Sequence, residues 1–200
     1  MQLEDRPYER RVKKSVLIDH AMRLHDGSTD CVIQAGGHVG VWPNRLTEYF
    51  DKVYTFEPHP DNYQELLKNT EGCDQIHPFS WGLGDSVRFR SLKSSTKSSG
   101  MHHIDPDGDG IPTHVISIDW FCDRHKLNPG ALFLDVEGYE LFVLHGAEST
   151  IRRNYPLIVC EENEACKRYG LDYGVLAKWL AGIGYEMKRK YKKDLIFCRT

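Results

Sequence analysis

Cys31-Val32-Ile33-Gln34-Ala35-Gly36-Gly37-His38-Val39-Gly40 is the stretch whose reading decides the fold. A short apolar run enters a glycine cluster, and a helical pattern follows, with Trp42, Leu46 and Phe50 at i, i+4 and i+8. Glycine lets the backbone turn where a side chain would clash. The first N–H groups of the next helix are then left facing a ligand. Strand, glycine turn and helix at the head of an α/β unit point to a nucleotide-type cofactor. Ala35 stands where a full Gly-x-Gly-x-x-Gly has its first glycine, so the glycines alone are weak evidence.

Outward from this stretch, strands and helices alternate. Strands are expected at 31–35, 52–56, 75–80, 131–136 and 157–160, with further extended segments at 87–92 and 114–118. Asp61 is the expected cap of a helix bearing Tyr63, Leu66 and Leu67. A helix from near Tyr139 carries Leu141, Leu144 and Ile151, and Asp172 precedes one with Val175, Leu176, Trp179 and Leu180. The segments 185–191 and 195–198 form a terminal hairpin across Lys192-Lys193-Asp194. Alternation of this kind predicts a mainly parallel sheet with helices on both faces, the hairpin adding one antiparallel strand. Residues 1–30 read as an N-terminal helical extension, helical from 6 to 26, and 31–200 as one globular domain. Residues 94–110, rich in Ser, Gly, Asp and Lys, read as a mobile loop of the lid type.

The totals exclude several classes. A chain of 200 residues can bury a sizeable core. The net charge of −3 gives no global argument for nucleic acid. No apolar stretch approaches a membrane span, and the charged first 14 residues lack a signal core. The expectation is a cytoplasmic protein that binds neither membrane nor nucleic acid; oligomeric state is not read. Six scattered cysteines form no Cys-x-x-Cys pair and read as reduced core residues. The basic run 188–193 reads as a solvated sheet edge.

On such sheets ligands bind at the carboxyl ends of the strands. There the sequence resembles the FkbM-type family of S-adenosylmethionine-dependent methyltransferases. Gln34-Ala35-Gly36-Gly37-His38-Val39-Gly40 matches its first motif, and Phe56-Glu57-Pro58-His59-Pro60 its second. An Ala-Leu-Gly-Asp motif appears as Gly82-Leu83-Gly84-Asp85, and a Thr/Ser-Leu-Asp element as Ser117-Ile118-Asp119. Asp135-Val136-Glu137-Gly138-Tyr139-Glu140, then Leu144-His145-Gly146-Ala147, is the strongest piece. The family has an acid at Gln34, Asn at His38 and Lys at Phe133. The resemblance implies a Rossmann-like class I methyltransferase fold with a seven-stranded sheet, and S-adenosyl-L-methionine as cofactor. It implies methylation of a hydroxyl on a sugar or other small-molecule acceptor.

On this reading Gly36, Gly37 and Gly40 bring backbone to the cofactor, with Gln34 and His38 beside them. Glu57, roughly 20 residues on, offers two acceptor oxygens to a ribose diol. Ser80, Trp81 and Gly82 lie where the adenine is expected; Trp81 stacks on it or belongs to the core. Asp135 and Glu137 are the candidate catalytic residues, at the edge facing the transferable methyl group. A hydroxyl acceptor must lose its proton to a carboxylate or histidine in reach. A divalent metal on Asp135, Glu137 and Glu161 is an alternative way to acidify it, and no metal site is assigned. Asp105-Pro106-Asp107-Gly108-Asp109-Gly110 resembles half a calcium loop but lacks the final acid and reads as a polar turn. His102 and His103 share the lid. Two other functions compete: a nicotinamide-dependent oxidoreductase, and a cofactor-binding protein without catalysis.

Overall fold

Three largely apolar runs form the centre of the main sheet. The structure, a computed structural model, describes residues 16–96 and 98–200. Strands β1 (Cys31–Ala35), β8 (Ala131–Leu134) and β9 (Leu157–Glu161) are buried along their whole length. Such runs are what strands covered on both faces require. With β2 (Lys52–Phe56), β3 (Ile76–Phe79), β10 (Tyr185–Tyr191) and β11 (Asp194–Arg199) they make a seven-stranded sheet. Its order is β10-β11-β9-β8-β1-β2-β3. β1 pairs in parallel with β2 on one side and β8 on the other. β11 runs antiparallel to both of its neighbours. The expected central strands and terminal hairpin are therefore present. Because β1 is flanked by β2 and β8, its carboxyl end is a topological switch point, where crevices open.

Alternation along the strands divides the core into two layers. Ile33, Leu132, Leu134 and Ile158 face one way. There they meet Phe121 of α4 (Ile118–His125), Val143 of α5 (Glu140–His145), Ile151 of α6 (Glu148–Asn154) and Leu180 of α7 (Val175–Gly182). Val32, Ala131, Phe133 and Val159 face the other way, against Leu17, Ile18 and Ala21 of α1 (Val16–Met22) and Trp42 and Leu46 of α2 (Val41–Leu46). Asp19 fastens α1 to the domain, accepting from Arg45 Nη2 at 2.6 Å and Tyr49 Oη at 2.8 Å. The part of the expected 6–26 helix before residue 16 lies outside the described residues.

The sheet count was incomplete. A second, four-stranded sheet sits over the carboxyl edge, built from β4 (Gly82–Leu83), β5 (Arg88–Lys93), β6 (His103–Asp105) and β7 (Ile111–Ile116). Its order is β4-β7-β5-β6. The segment read as one long loop thus contains β6, which pairs with β5 because Leu92 and Ile104 have a core to enter. The Asp105 carboxylate accepts from the N–H groups of Asp107 and Asp109 and shapes the polar turn into β7.

Several boundaries also shift. Ile118 opens α4 rather than closing a strand, because the Ser117 hydroxyl accepts from Trp120 N–H as a helix cap. His59, not Asp61, is the N-cap of α3 (Pro60–Asn69), since Pro60 fixes the first helical turn. Gly174, not Asp172, precedes α7. The helix expected from Tyr139 is two helices, α5 and α6. Asp119 explains the break: its carboxylate accepts from Ser149 and Thr150 N–H at 3.0 and 2.7 Å and starts α6 afresh.

Candidate active site

A cavity of about 330 Å³ opens at the carboxyl ends of β1, β2 and β8. Three sheet edges and the segment after β5 enclose it. Gly36 and Gly37 form its floor; both N–H groups bond to Phe56 carbonyl at 2.9 Å. Gly36 has φ +82°, and a Cβ there would meet Asp135 carbonyl oxygen at 2.0 Å. The turn therefore packs directly against the neck of the β8 turn, and only glycine satisfies both constraints.

Gln34 lies beneath this turn, fully buried, and does not line the cavity. Its amide donates to the carbonyls of Ala35 and Gly36 at 3.1 and 2.9 Å, and its oxygen accepts from the Thr55 hydroxyl. A neutral amide can donate and accept at once, which a carboxylate cannot. Gln34 thus acts on a ligand through the loop it holds. Gly40 precedes α2 and is likewise off the cavity wall. His38 lines the wall; its N–H donates to Glu57 Oε2 at 2.7 Å, and its Nε2 lies 3.0 Å from Ser99 Oγ.

Glu57, just past β2, is the buried acid of the site, 5% exposed. Oε2 takes the His38 N–H and Oε1 the His59 N–H at 2.9 Å. Burial pushes its carboxyl up to about 7, against the pull of those two backbone donors. The Asn62 side chain lowers it as well, and because a carboxylate has about four acceptor positions, capacity toward a ligand remains. Gly82 lines the cavity, whereas Ser80 is exposed and the half-buried Trp81 packs on Phe79 at 5.2 Å against the edge of the core.

Asp135 and Glu137 enter from the turn after β8 and line the opposite wall. Glu137 has φ +55°, an uncommon conformation for a residue with a side chain. Arg168 Nη1 donates to its carbonyl at 2.9 Å, and Glu140 Oε1 accepts from Val136 N–H at 3.0 Å. Glu161 ends the neighbouring strand and is buried. Burial first, and the Asp135 charge second, push its carboxyl up, while Lys193 pulls it down. Asp135, Glu137 and Glu161 come together, one carboxylate oxygen of each lying within 4.8 Å of the others.

The roof is the segment between β5 and β6. Asn62 donates to Ser99 carbonyl at 2.8 Å, beside the His38–Ser99 contact. His59 and His102 stack with ring centres 3.7 Å apart. Ser94 hydroxyl and Ser95 N–H bond to these two rings at 2.9 Å each. Burial, and then the neighbouring His59, pull His102 down to about 4.

A model of the methyltransferase FkbM domain matches residues 34–187. The chain belongs to the FkbM methyltransferase family. A hexuronic acid methyltransferase, AglP, of Haloferax volcanii is 29% identical over 103 residues, which are 50% of this chain and 43% of the relative. The chain thus spans less than half of that relative's length. An FkbM methyltransferase structure from Methylobacillus flagellatus superposes with a TM-score of 0.57 at 18% identity, over 86% of this chain and 44% of the other. The N-methyltransferase NodS of Bradyrhizobium japonicum, solved with S-adenosylhomocysteine, superposes at 0.52 and 12% identity over 99% and 89%. At such identities the structures share the fold, the Rossmann-like class I methyltransferase fold. Family membership favours methyl transfer over the hydride transfer of the competing oxidoreductase reading.

For this FkbM-family domain, some site residues escaped the sequence reading. Asn62 signals itself only as a polar residue in the first turn of the helix after Glu57. Lys193 belongs to the basic run expected to be a solvated edge, yet its ammonium pairs with Glu161. Most of that run is exposed on the edge strand β10; the hairpin turn alone brings Lys193 inward. All six cysteines are free, four of them buried. Among the described residues no helix is long and apolar enough to cross a membrane.

Proposed function

We propose that this domain transfers a methyl group from S-adenosylmethionine to a hydroxyl oxygen of a sugar-type small molecule. The observation that carries the reading is Glu57, buried in the cavity wall beside the glycine turn, with its oxygens held by two backbone N–H groups and the Asn62 side chain beside it. A ribose diol supplies further donors to such a carboxylate. The glycine turn beside it leaves room for a ligand close to backbone. The bound cofactor supplies an activated methyl group on a positively charged sulfur. Asp135 and Glu137 face the cavity from the opposite wall, where negative charge favours that sulfur and can receive the acceptor's proton. Tyr139 and Val136 give the same wall an apolar surface that excludes water. Positioning provides much of the acceleration in such a displacement. The sugar acceptor is supported by the hexuronic acid substrate named for the haloarchaeal relative.

Calorimetric titration is the primary test. Binding of S-adenosylhomocysteine without binding of NAD or NADP is expected, and the reverse pattern would sink the reading. Labelled methyl transfer to a panel of hexoses and hexuronic acids then tests the acceptor. Labelling of amines rather than hydroxyls would replace O-methylation.

A further inference from the structure

The register of β8 against β9 places acids side by side. Leu134 pairs with Cys160, so the residues that follow, Asp135 and Glu161, emerge together at the carboxyl edge. Glu137 folds back toward them through its left-handed backbone. One carboxylate oxygen from each of the three lies within 4.8 Å of the others.

Acids often gather on surfaces without holding anything. Glu161 is different, because it is 1% exposed. Its two oxygens are treated unequally. Oε1 receives both the Lys193 ammonium and the Asn163 side-chain amide. Oε2 is buried and receives no donor from the protein. The carboxyl group that approaches Glu161 is that of Asp135, another acceptor. An undonated buried carboxylate oxygen is costly and calls for a bound partner. Two touching carboxylates are held by a shared proton or by a cation.

We propose that Asp135, Glu137 and Glu161 form a site for a divalent cation at the acceptor end of the cavity. Three carboxylate oxygens suit a hard ion such as Mg²⁺ or Mn²⁺. Asp135 and Glu137 line the cavity while Glu161 lies behind them, so the ion's remaining positions face the space left for the acceptor. Resting on the methyl-transfer reading, the ion's role is to hold the acceptor hydroxyl and acidify it. With the ion bound, Asp135 and Glu137 act as its ligands in place of serving as the base, and the hydroxyl proton leaves to water. Its oxygen forms the new C–O bond as the C–S bond breaks, and the electron pair of that bond stays on sulfur, giving neutral S-adenosylhomocysteine. An acceptor with adjacent hydroxyl or carboxylate oxygens fits such an ion best.

The test is titration of the full chain with Mn²⁺, following loss of the free-ion signal by electron paramagnetic resonance. One Mn²⁺ per chain is expected, displaced by Mg²⁺. Glu161→Gln and, because a buried substitution can unfold the chain, the half-buried Glu137→Gln should each weaken it roughly 10-fold or more. S-adenosylhomocysteine affinity, measured by calorimetry on the same samples, should stay within about 2-fold for Glu161→Gln, whose side chain lies off the cavity wall. No Mn²⁺ uptake by the wild type, or uptake unchanged in both folded variants, would overturn the site and leave the shared proton as the link between the acids. Mn²⁺ binding without S-adenosylhomocysteine binding would keep the cation site and sink the methyl-donor reading instead.

Discussion

On the proposed reading, methyl-donor binding depends on the ionisation of Glu57. Glu57 must give up a proton to serve as a double acceptor, and burial holds its carboxyl at about 7. Below that pH, binding must first ionise it. S-adenosylhomocysteine affinity is therefore expected to fall by up to about 10-fold per pH unit below 7 and to level off above it. Glu57→Gln should flatten that profile and weaken binding at pH 8 by roughly 10-fold, from loss of charge-assisted hydrogen bonds. Calorimetry across pH 5.5–8.5 reads both; an unchanged slope in the variant removes Glu57 from the ribose. Gly36 is constrained by backbone alone. Gly36→Ala adds a Cβ 2.0 Å from the Asp135 carbonyl and forces alanine to φ +82°. A loss of about 2 kcal/mol or more is expected, seen as a melting temperature lower by roughly 4–8 °C.

At the scale of elements, the roof is held by contacts that cross long sequence distances. The His59–His102 stack joins the start of α3 to the segment before β6, and Asn62 and His38 both hold Ser99. An aromatic pair contributes about 0.5–1.5 kcal/mol. His102→Ala is expected to weaken S-adenosylhomocysteine binding roughly 2- to 10-fold and to speed proteolytic cleavage within 94–110. Unchanged cleavage and affinity would mean that the roof stands without the stack. These contacts also mark where sequence reading stopped. β1, β8 and β9 were legible because burial on both faces demands mostly apolar runs. Glu57, Asp135 and Glu137 were legible as acids at the ends of such runs. β4 and β6 span two and three residues, too short for any periodicity to register. The stacked histidines lie 43 positions apart, and nothing local relates them. Lys193 was hidden for a similar reason: its role follows from β11 pairing with β9, not from the charges around it.

For the molecule as a whole, buried acids and buried imidazoles oppose each other in pH dependence. Burial raises Glu57 to about 7 and Glu140 to about 8, from an ordinary value of 4.5. A raised carboxyl favours the fold while protonated, so its contribution is full below 4.5 and is lost as pH climbs through the folded value. Burial lowers His59, His77 and His102, the last to about 4. Their contribution is full above the ordinary 6.5 and is lost as pH falls. Between 4.5 and 6.5 the two sets cancel in part. From 6.5 to 8 the histidines no longer change, and the carboxyls alone make stability fall. The slope reaches at most about 1.4 kcal/mol per pH unit for each carboxyl. Glu140 isolates the effect, since it is 3% exposed, lies outside the cavity wall and accepts from Val136 N–H. Glu140→Gln keeps an acceptor for that N–H and cannot ionise. Urea unfolding should show the wild type losing stability between pH 6.5 and 8 more steeply than the variant, with the variant gaining on it as pH rises. A constant difference between the two across that interval would show that Glu140 does not ionise there, and that the turn bearing Asp135 and Glu137 rests on a group insensitive to pH.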